Sequence, residues 1–186
     1  MSRALAGVFV GGSGTRMGGR PKGLLRTADG VTLVERLRRV LEGVGAEVVL
    51  VGASDEYAAM GLASVADDPP GVGPLGGLAG LLRAAGDRPT LAVACDLPYV
   101  GGTLFERLLR AAPAAVVAPR REGRWEPLCA RYEPSGVLPV ITRLLAARRH
   151  ALQALLDEAR AVALPLSPEE ALELRDWDVP ADIAER

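Results

Sequence analysis

Several residue types are scarce or missing in this chain. It contains no asparagine, one glutamine (Gln153), one histidine (His150) and, among 22 basic residues, a single lysine, Lys22. One histidine cannot build a histidine-rich metal site, and a Ser-His-Asp triad would rest on His150 alone. The two cysteines, Cys95 and Cys129, lie far apart and form no CxxC, so by themselves they make neither a zinc site nor a disulfide framework. No apolar run reaches the ~18 residues of a membrane span. The first residues lack the basic, apolar, small-residue pattern of a secretory signal. Aromatic residues are 4% against 49% hydrophobic, so Leu, Val and Ala fill the core. A net charge of −1 points to neither a nucleic-acid nor a membrane partner. The expectation is a reduced, cytoplasmic protein whose 186 residues make one domain. The asparagine depletion is compatible with a thermophilic source or a GC-rich genome.

Against these absences stands one dense stretch. Gly11 to Lys22, GGSGTRMGGRPK, holds five glycines and three basic residues in twelve positions, directly after the apolar run Ala4–Val10. Glycines allow close backbone approach to a ligand. Bare N–H groups, including those of Gly12, Ser13 and Gly14, together with Arg16, Arg20 and Lys22 suit a phosphate chain. The one lysine stands here, where a compact, flexible point charge would suit a phosphate.

The rest of the chain alternates strand and helix patterns. Residues 4–10, 47–51, 63–66, 90–94 and 114–118 read as buried strands. Thr32 with Glu35 is a capping-box pattern ahead of a helix ending near Gly43, and Ser54 opens a short helix through Met60. Residues 75–85, 103–112, 137–147 and 150–159 read as helices. The first of these carries small residues on one side, suited to close packing on a sheet or ligand. Residues 125–132, interrupted by Pro127, read as an edge or excursion strand. Residues 161–164 make a last strand, Ser167-Pro-Glu-Glu starts a helix, and Pro180-Ala-Asp begins a terminal turn. The alternation predicts an α/β fold, a Rossmann-like doubly wound, mostly parallel sheet with helices on both faces.

In such sheets ligands sit outside the carboxyl ends of the strands. The Gly loop follows the first strand, Asp67 the third and Asp96 the fourth, so distant segments are predicted to meet in one crevice. The loop is not a Walker A motif, which needs GxxxxGK[ST]. It is not the dinucleotide fingerprint, because Met17 occupies the third-glycine position. A lone carboxylate at Asp96 beside a phosphate chain is suited to Mg²⁺, which prefers oxygen ligands. Asp67 and Asp68 can hold a sugar hydroxyl, reach the metal through water, or simply form an Asp-Asp-Pro turn. The set suggests nucleotidyl transfer: a phosphate attacks the α-phosphorus of a nucleoside triphosphate and expels pyrophosphate. That chemistry needs positioning and charge neutralisation more than a protein nucleophile. Arg16, Lys22 and Asp96 would carry it.

The same residues resemble a known family. Val8 to Lys22 resembles the LAGGxSxRMGxDK signature of molybdenum cofactor guanylyltransferases. Asp67 with Gly73-Pro-Leu-Gly-Gly77 resembles that family's D…GPLAG segment, Ala94-Cys-Asp-Leu-Pro98 its CDxP segment, and Glu126-Pro-Leu128 its xPL segment. The resemblance implies GMP transfer from GTP to molybdopterin, with the backbone of Phe9, Val10 and Gly11 holding the guanine side. It places Asp67 and Asp96 at the nucleotide and the metal on Asp96. It implies a nucleotide-binding half over about residues 1–100 and an acceptor-binding half over about 101–186, with Arg148, Arg149, Asp176 and Asp178 as acceptor-side candidates. It also implies transient contact with other molybdenum cofactor proteins. The pattern departs at Val10, Pro21 and Val51-Gly52, and the C-terminal NxNTPxD segment reads Asp176-Trp-Asp-Val-Pro-Ala-Asp182. Alternatives are a sister enzyme using CTP or a sugar or alcohol phosphate, and a non-catalytic GTP-binding module.

Overall fold

The continuous apolar runs of the first half become strands covered on both sides, as runs without polar alternation must. A computed structural model describes residues 3–11 and 21–175. Strands β1 (Leu5–Phe9), β2 (Glu47–Val51), β3 (Ser64–Val65) and β4 (Thr90–Ala94) are parallel, in the spatial order β3-β2-β1-β4. Beyond β4 lies the antiparallel β7 (Cys129–Tyr132), then β5 (Val116–Arg121). β6 (Arg124–Trp125) forms a hairpin with the end of β5, and β8 (Val162–Leu164) pairs with β5 in parallel.

Among the described residues six α-helices flank the sheet: α1 (Leu33–Gly43), α2 (Pro74–Ala85), α3 (Gly102–Arg110), α4 (Pro134–Ala146), α5 (Leu152–Glu158) and α6 (Pro168–Glu173). Val34, Leu37 and Leu41 of α1 and Leu104, Phe105 and Leu108 of α3 cover the face bearing Ala6, Val8 and Val93. Helices α2, α4 and α5 cover the other, which bears Leu5, Phe9 and Ala92. The doubly wound expectation holds. Thr32 accepts a hydrogen bond from Glu35 N–H, and Ser167 with Glu170 forms a reciprocal capping box. The expected cap at Ser54 makes no capping bond to the backbone, its hydroxyl donating instead to the Glu56 carboxylate at 3.2 Å, and the turn that follows, Asp55–Met60, is 3-10.

One expectation is corrected. Residues 125–132 are not an edge strand. Pro127 sits at the second position of a turn closed by Cys129 N–H to Glu126 O (3.1 Å), where its fixed φ is favourable. The strand begins only after the proline and inserts between β4 and β5, entirely buried. Tyr132 hydroxyl donates to Pro127 O at 2.7 Å, so its burial leaves no orphan group. Arg131, also buried on β7, donates to Ala111 O and Ala112 O (2.9 and 3.0 Å), satisfying carbonyls beyond the end of α3. The proposed terminal turn at 180–182 lies outside the described residues.

Candidate active site

Register brings the loop-bearing ends of four strands together. Val65, Val51, Phe9 and Ala94 stand side by side as partners across β3, β2, β1 and β4. The backbone keeps this order one residue further, through Val10 N–H to Val51 O, Gly52 N–H to Val65 O and Cys95 N–H to Phe9 O (3.1, 3.1 and 3.2 Å). The segments after these strands therefore share one rim. Gly11 and Gly52 meet across it. A Cβ on Gly52 would lie 3.3 Å from Gly11 Cα, and Gly52 holds φ +69°, a region side chains rarely adopt.

At the β4 end, Lys22 Nζ donates to Asp96 Oδ2 at 3.0 Å, across 74 residues of sequence. The side chains are 25% and 22% exposed, so both charges face a crevice rather than open solvent. Lys22 begins a 3-10 turn, Lys22–Leu24, at the end of the Gly loop. Cys95, the neighbour of Asp96, is turned into the core. Burial, aided by the adjacent carboxylate, pushes its thiol up to about 12. It is no nucleophile near neutral pH.

At the β3 end, Asp67 leans toward β2. Its Oδ1 lies 3.1 Å from where a Cβ on Gly77 would sit and 3.6 Å from the same point on Gly52. Phe9 Cε1 is 3.1 Å from that Gly77 position. The small residues of α2 thus pack against the sheet and the 66–69 loop, as expected. Gly76 and Gly80 face backbone carbonyls of Pro69 and Ala66, and Gly77 makes room for Asp67. Asp68 points elsewhere, into an ion pair with Arg83 at 2.6 Å.

The antiparallel β7 adds residues to this rim that strand counting missed. Its start lies at the same end of the sheet, with Ala94 N–H donating to Leu128 O at 2.7 Å. Glu126, two residues before Leu128, pairs with Arg121 at 2.9 Å, and Arg121 Nη1 donates to Leu174 O at 2.9 Å. Glu173 accepts from Gly101 N–H at 2.8 Å. The turn signal at Pro127 was legible; that it delivers Glu126 to the crevice depends on strand direction, which no local pattern carries.

Not all sequence candidates gather here. Phe9, Val10, Gly11, Lys22, Asp67 and Asp96 do. Gly12, Ser13, Gly14, Arg16, Asp176 and Asp178 lie outside the described residues. Arg148 and Arg149 form the exposed junction between α4 and α5, where Arg149 pairs with Glu158, and nothing connects them to the Lys22–Asp96 pair. His150 occupies the same junction. Among the described residues, no cluster of three His, Cys, Asp or Glu side chains is arranged to hold a metal, and no helix is long and apolar enough to cross a membrane.

With this geometry in place, comparison with known proteins is informative. Residues 6–163 match the family described as the MobA-like NTP transferase domain. A molybdenum cofactor guanylyltransferase of Pseudomonas putida is 36% identical over 160 residues, 82% of each chain. Another, from Xanthomonas euvesicatoria, is 33% identical over 177 residues, covering 93% of this chain and 88% of that protein. The fold is similar to that of molybdopterin-guanine dinucleotide biosynthesis protein A from Archaeoglobus fulgidus, with TM-score 0.79 at 22% identity over 96% of this chain and 94% of the other. The matched stretch runs from β1 through β8 and takes in Lys22, Asp67, Asp96 and Glu126: the chain belongs to the MobA-like NTP transferase family.

Proposed function

We propose that the protein transfers GMP from GTP to the phosphate of molybdenum-bearing molybdopterin, forming the guanine dinucleotide cofactor and releasing pyrophosphate. The observation that carries this reading is the Lys22–Asp96 pair at the rim where β1 and β4 end, immediately after a glycine-rich loop. The names of the full-length relatives supply the base and the acceptor.

In this reading the acceptor phosphate attacks the GTP α-phosphorus. A P–O bond forms as the bond to the β-phosphate oxygen breaks, and pyrophosphate takes the electron pair. The acceptor phosphate is already ionised near neutral pH, so no general base is required. Lys22 and Arg16 neutralise the charge gathering on the departing pyrophosphate. The backbone of Phe9, Val10 and Gly11 holds the guanine, and Gly12, Ser13 and Gly14 offer N–H groups to the phosphates.

Asp67 and Asp96 stand apart by roughly two strand spacings, about 10 Å, because Asp67 leans toward β2 while Asp96 follows β4. In this reading Asp67 serves the nucleoside and Asp96 the metal. The donor set at Asp96 fits Mg²⁺: one carboxylate, with the nearby thiol turned away, is what a cation that draws its other ligands from phosphates and water needs. Bound there, Mg²⁺ would withdraw charge from the phosphates. In this reading the acceptor occupies the half built from β5 to α6, whose Glu126 and Arg121 reach the rim beside Ala94. We place the enzyme in the cytoplasm.

The test supplies purified protein with Mg²⁺, molybdenum-loaded molybdopterin and each NTP in turn, and measures pyrophosphate. GTP should give the highest kcat/KM. Equal or better turnover with CTP overturns the guanine assignment. GTP binding without turnover on any acceptor would mean a binding module.

A further inference from the structure

We infer that Gly23, seated on Val34 and Tyr57, is the positioning element that sets Lys22 against Asp96. Gly23 is buried in the 3-10 turn that Lys22 begins. That turn is closed by Leu25 N–H to Lys22 O at 3.0 Å and tied to α1 by Leu33 N–H to Leu25 O at 3.0 Å. It has no slack beneath it. A methyl on Gly23 would lie 2.6 Å from Val34 Cγ2, 3.0 Å from Tyr57 Oη and 3.1 Å from Tyr57 Cε1. Ordinary carbon contacts are about 3.5–4.0 Å, so such a methyl forces roughly 1 Å of movement between the turn and the side chains beneath it, and on this inference it is the turn that lifts. Nζ would then leave hydrogen-bonding range of Asp96.

Tyr57 reinforces the argument. It is 3% exposed, and its buried hydroxyl lies against Gly23, whose backbone partly offsets the burial that raises the phenol. A phenylalanine there would leave the Gly23 backbone without that polar neighbour. Tyr57 and Cys95, the neighbour of Asp96, belong to one apolar core cluster, so the support beneath Lys22 and the residue before Asp96 share that core.

The kinetic part of this inference rests on the proposed activity; the spectroscopic part does not. Lys22 is the only lysine, so lysine labelled with ¹³C and ¹⁵N gives a single side-chain signal from the full chain. In otherwise wild-type protein, Asp96→Asn should shift that signal. In the Gly23→Ala background the shift should fall by at least about half, and in Gly23→Ala/Val34→Ala, where the added methyl has room, it should return. In turnover, Gly23→Ala should lower kcat about 10–100-fold, the scale of a 1 Å misplacement, with KM for GTP changed less than about threefold. The double variant should recover most of that loss. Val34→Ile presses on the turn from below without altering the loop, and should act in the same direction if Gly23→Ala does not fold. An undiminished Asp96 response in Gly23→Ala or in Val34→Ile, or a double variant no better than the single, overturns the inference. Wild-type protein that turns over no nucleotide, while the spectroscopic response behaves as described, overturns the proposed activity and leaves the positioning role intact.

Discussion

Helix α2 offers the sharpest test of how the site is held. Gly76, Gly77 and Gly80 line one face of it, at helical spacing. A Cβ on Gly80 would lie 2.2 Å from Ala66 O, the residue before Asp67. Replacement by alanine gains about 1 kcal/mol of helix propensity, because glycine loses more chain entropy on ordering. Against this, the contact must open by about 1 Å, and the opposing atom is a backbone carbonyl that cannot rotate away. Overpacking costs about 1–3 kcal/mol, and a rigid neighbour puts Gly80 at or above the top of that range. The net expectation for Gly80→Ala is a loss of about 2 kcal/mol or more, or at least roughly 4–8 °C in Tm for a chain of this size. Gly43, the last residue of α1, has nothing within 4 Å of its Cβ position. Gly43→Ala should therefore be neutral or stabilising by up to about 1 kcal/mol. Urea unfolding with equal m-values compares the two directly. If Gly80→Ala matches or exceeds the stability of wild type, the small face of α2 is not there to admit the 66–69 loop, and the account of how Asp67 is placed fails.

Other consequences are more direct. Lys22→Ala and Asp96→Asn should each lower kcat at least about 100-fold, the scale of a lost electrostatic contact in the transition state. Both side chains are about a quarter exposed, so losing the pair should cost no more than about 1 kcal/mol of stability, and a Tm scan beside the kinetics separates the two effects. Glu170, hydrogen-bonded by Arg107 and by Ser167 N–H, is held below the usual carboxylate range. Its folded-state pKa is depressed, so its contribution is present above about pH 4.3 and disappears as pH falls through the folded value. Arg107→Gln should accordingly destabilise at pH 7 and become indistinguishable from wild type in strong acid, as denaturant titrations at the two pH values would reveal. Cys95 and Cys129 are buried, with both thiols pushed up chiefly by desolvation. Ellman's reagent at pH 8 should find no fast thiol in the folded protein and two on unfolding. A fast-reacting folded thiol would mean that Cys95 faces the crevice.

The parallel core was legible because burial on both faces writes itself into sequence as unbroken apolar runs, such as Ala4–Val10 and Thr90–Ala94. Helix starts were legible where a cap is local chemistry, as at Thr32 and Ser167. The convergence of Asp67 and Asp96 followed from strand direction alone. What stayed hidden depends on order rather than pattern. Nothing in Cys129–Tyr132 says that it enters between β4 and β5, and Pro127 argued for an edge because its turn and the strand were read as one element. Gly23 passed unnoticed in a glycine-rich neighbourhood. Its requirement comes from Val34 and Tyr57, which reach it only in the folded chain.

The inserted strand also explains how one sheet can serve two substrates. Four parallel strands place their carboxyl ends along a single rim, and in the proposed reading the loops there serve the nucleotide. A fifth parallel strand next to β4 would bring only another outgoing loop. An antiparallel strand at that place brings an incoming segment instead, Glu126-Pro-Leu128, hydrogen-bonded to Ala94 beside Asp96. Arg121 at the end of β5 then ties Glu126 to Leu174, so the end of α6 is anchored to the same rim. Arg121→Ala should therefore act on the acceptor side. Its KM for molybdopterin should rise more than its KM for GTP, whereas Lys22→Ala, on the nucleotide side, should chiefly lower kcat. Equal effects of Arg121→Ala on both KM values would mean that β5 to α6 do not form a separate acceptor half.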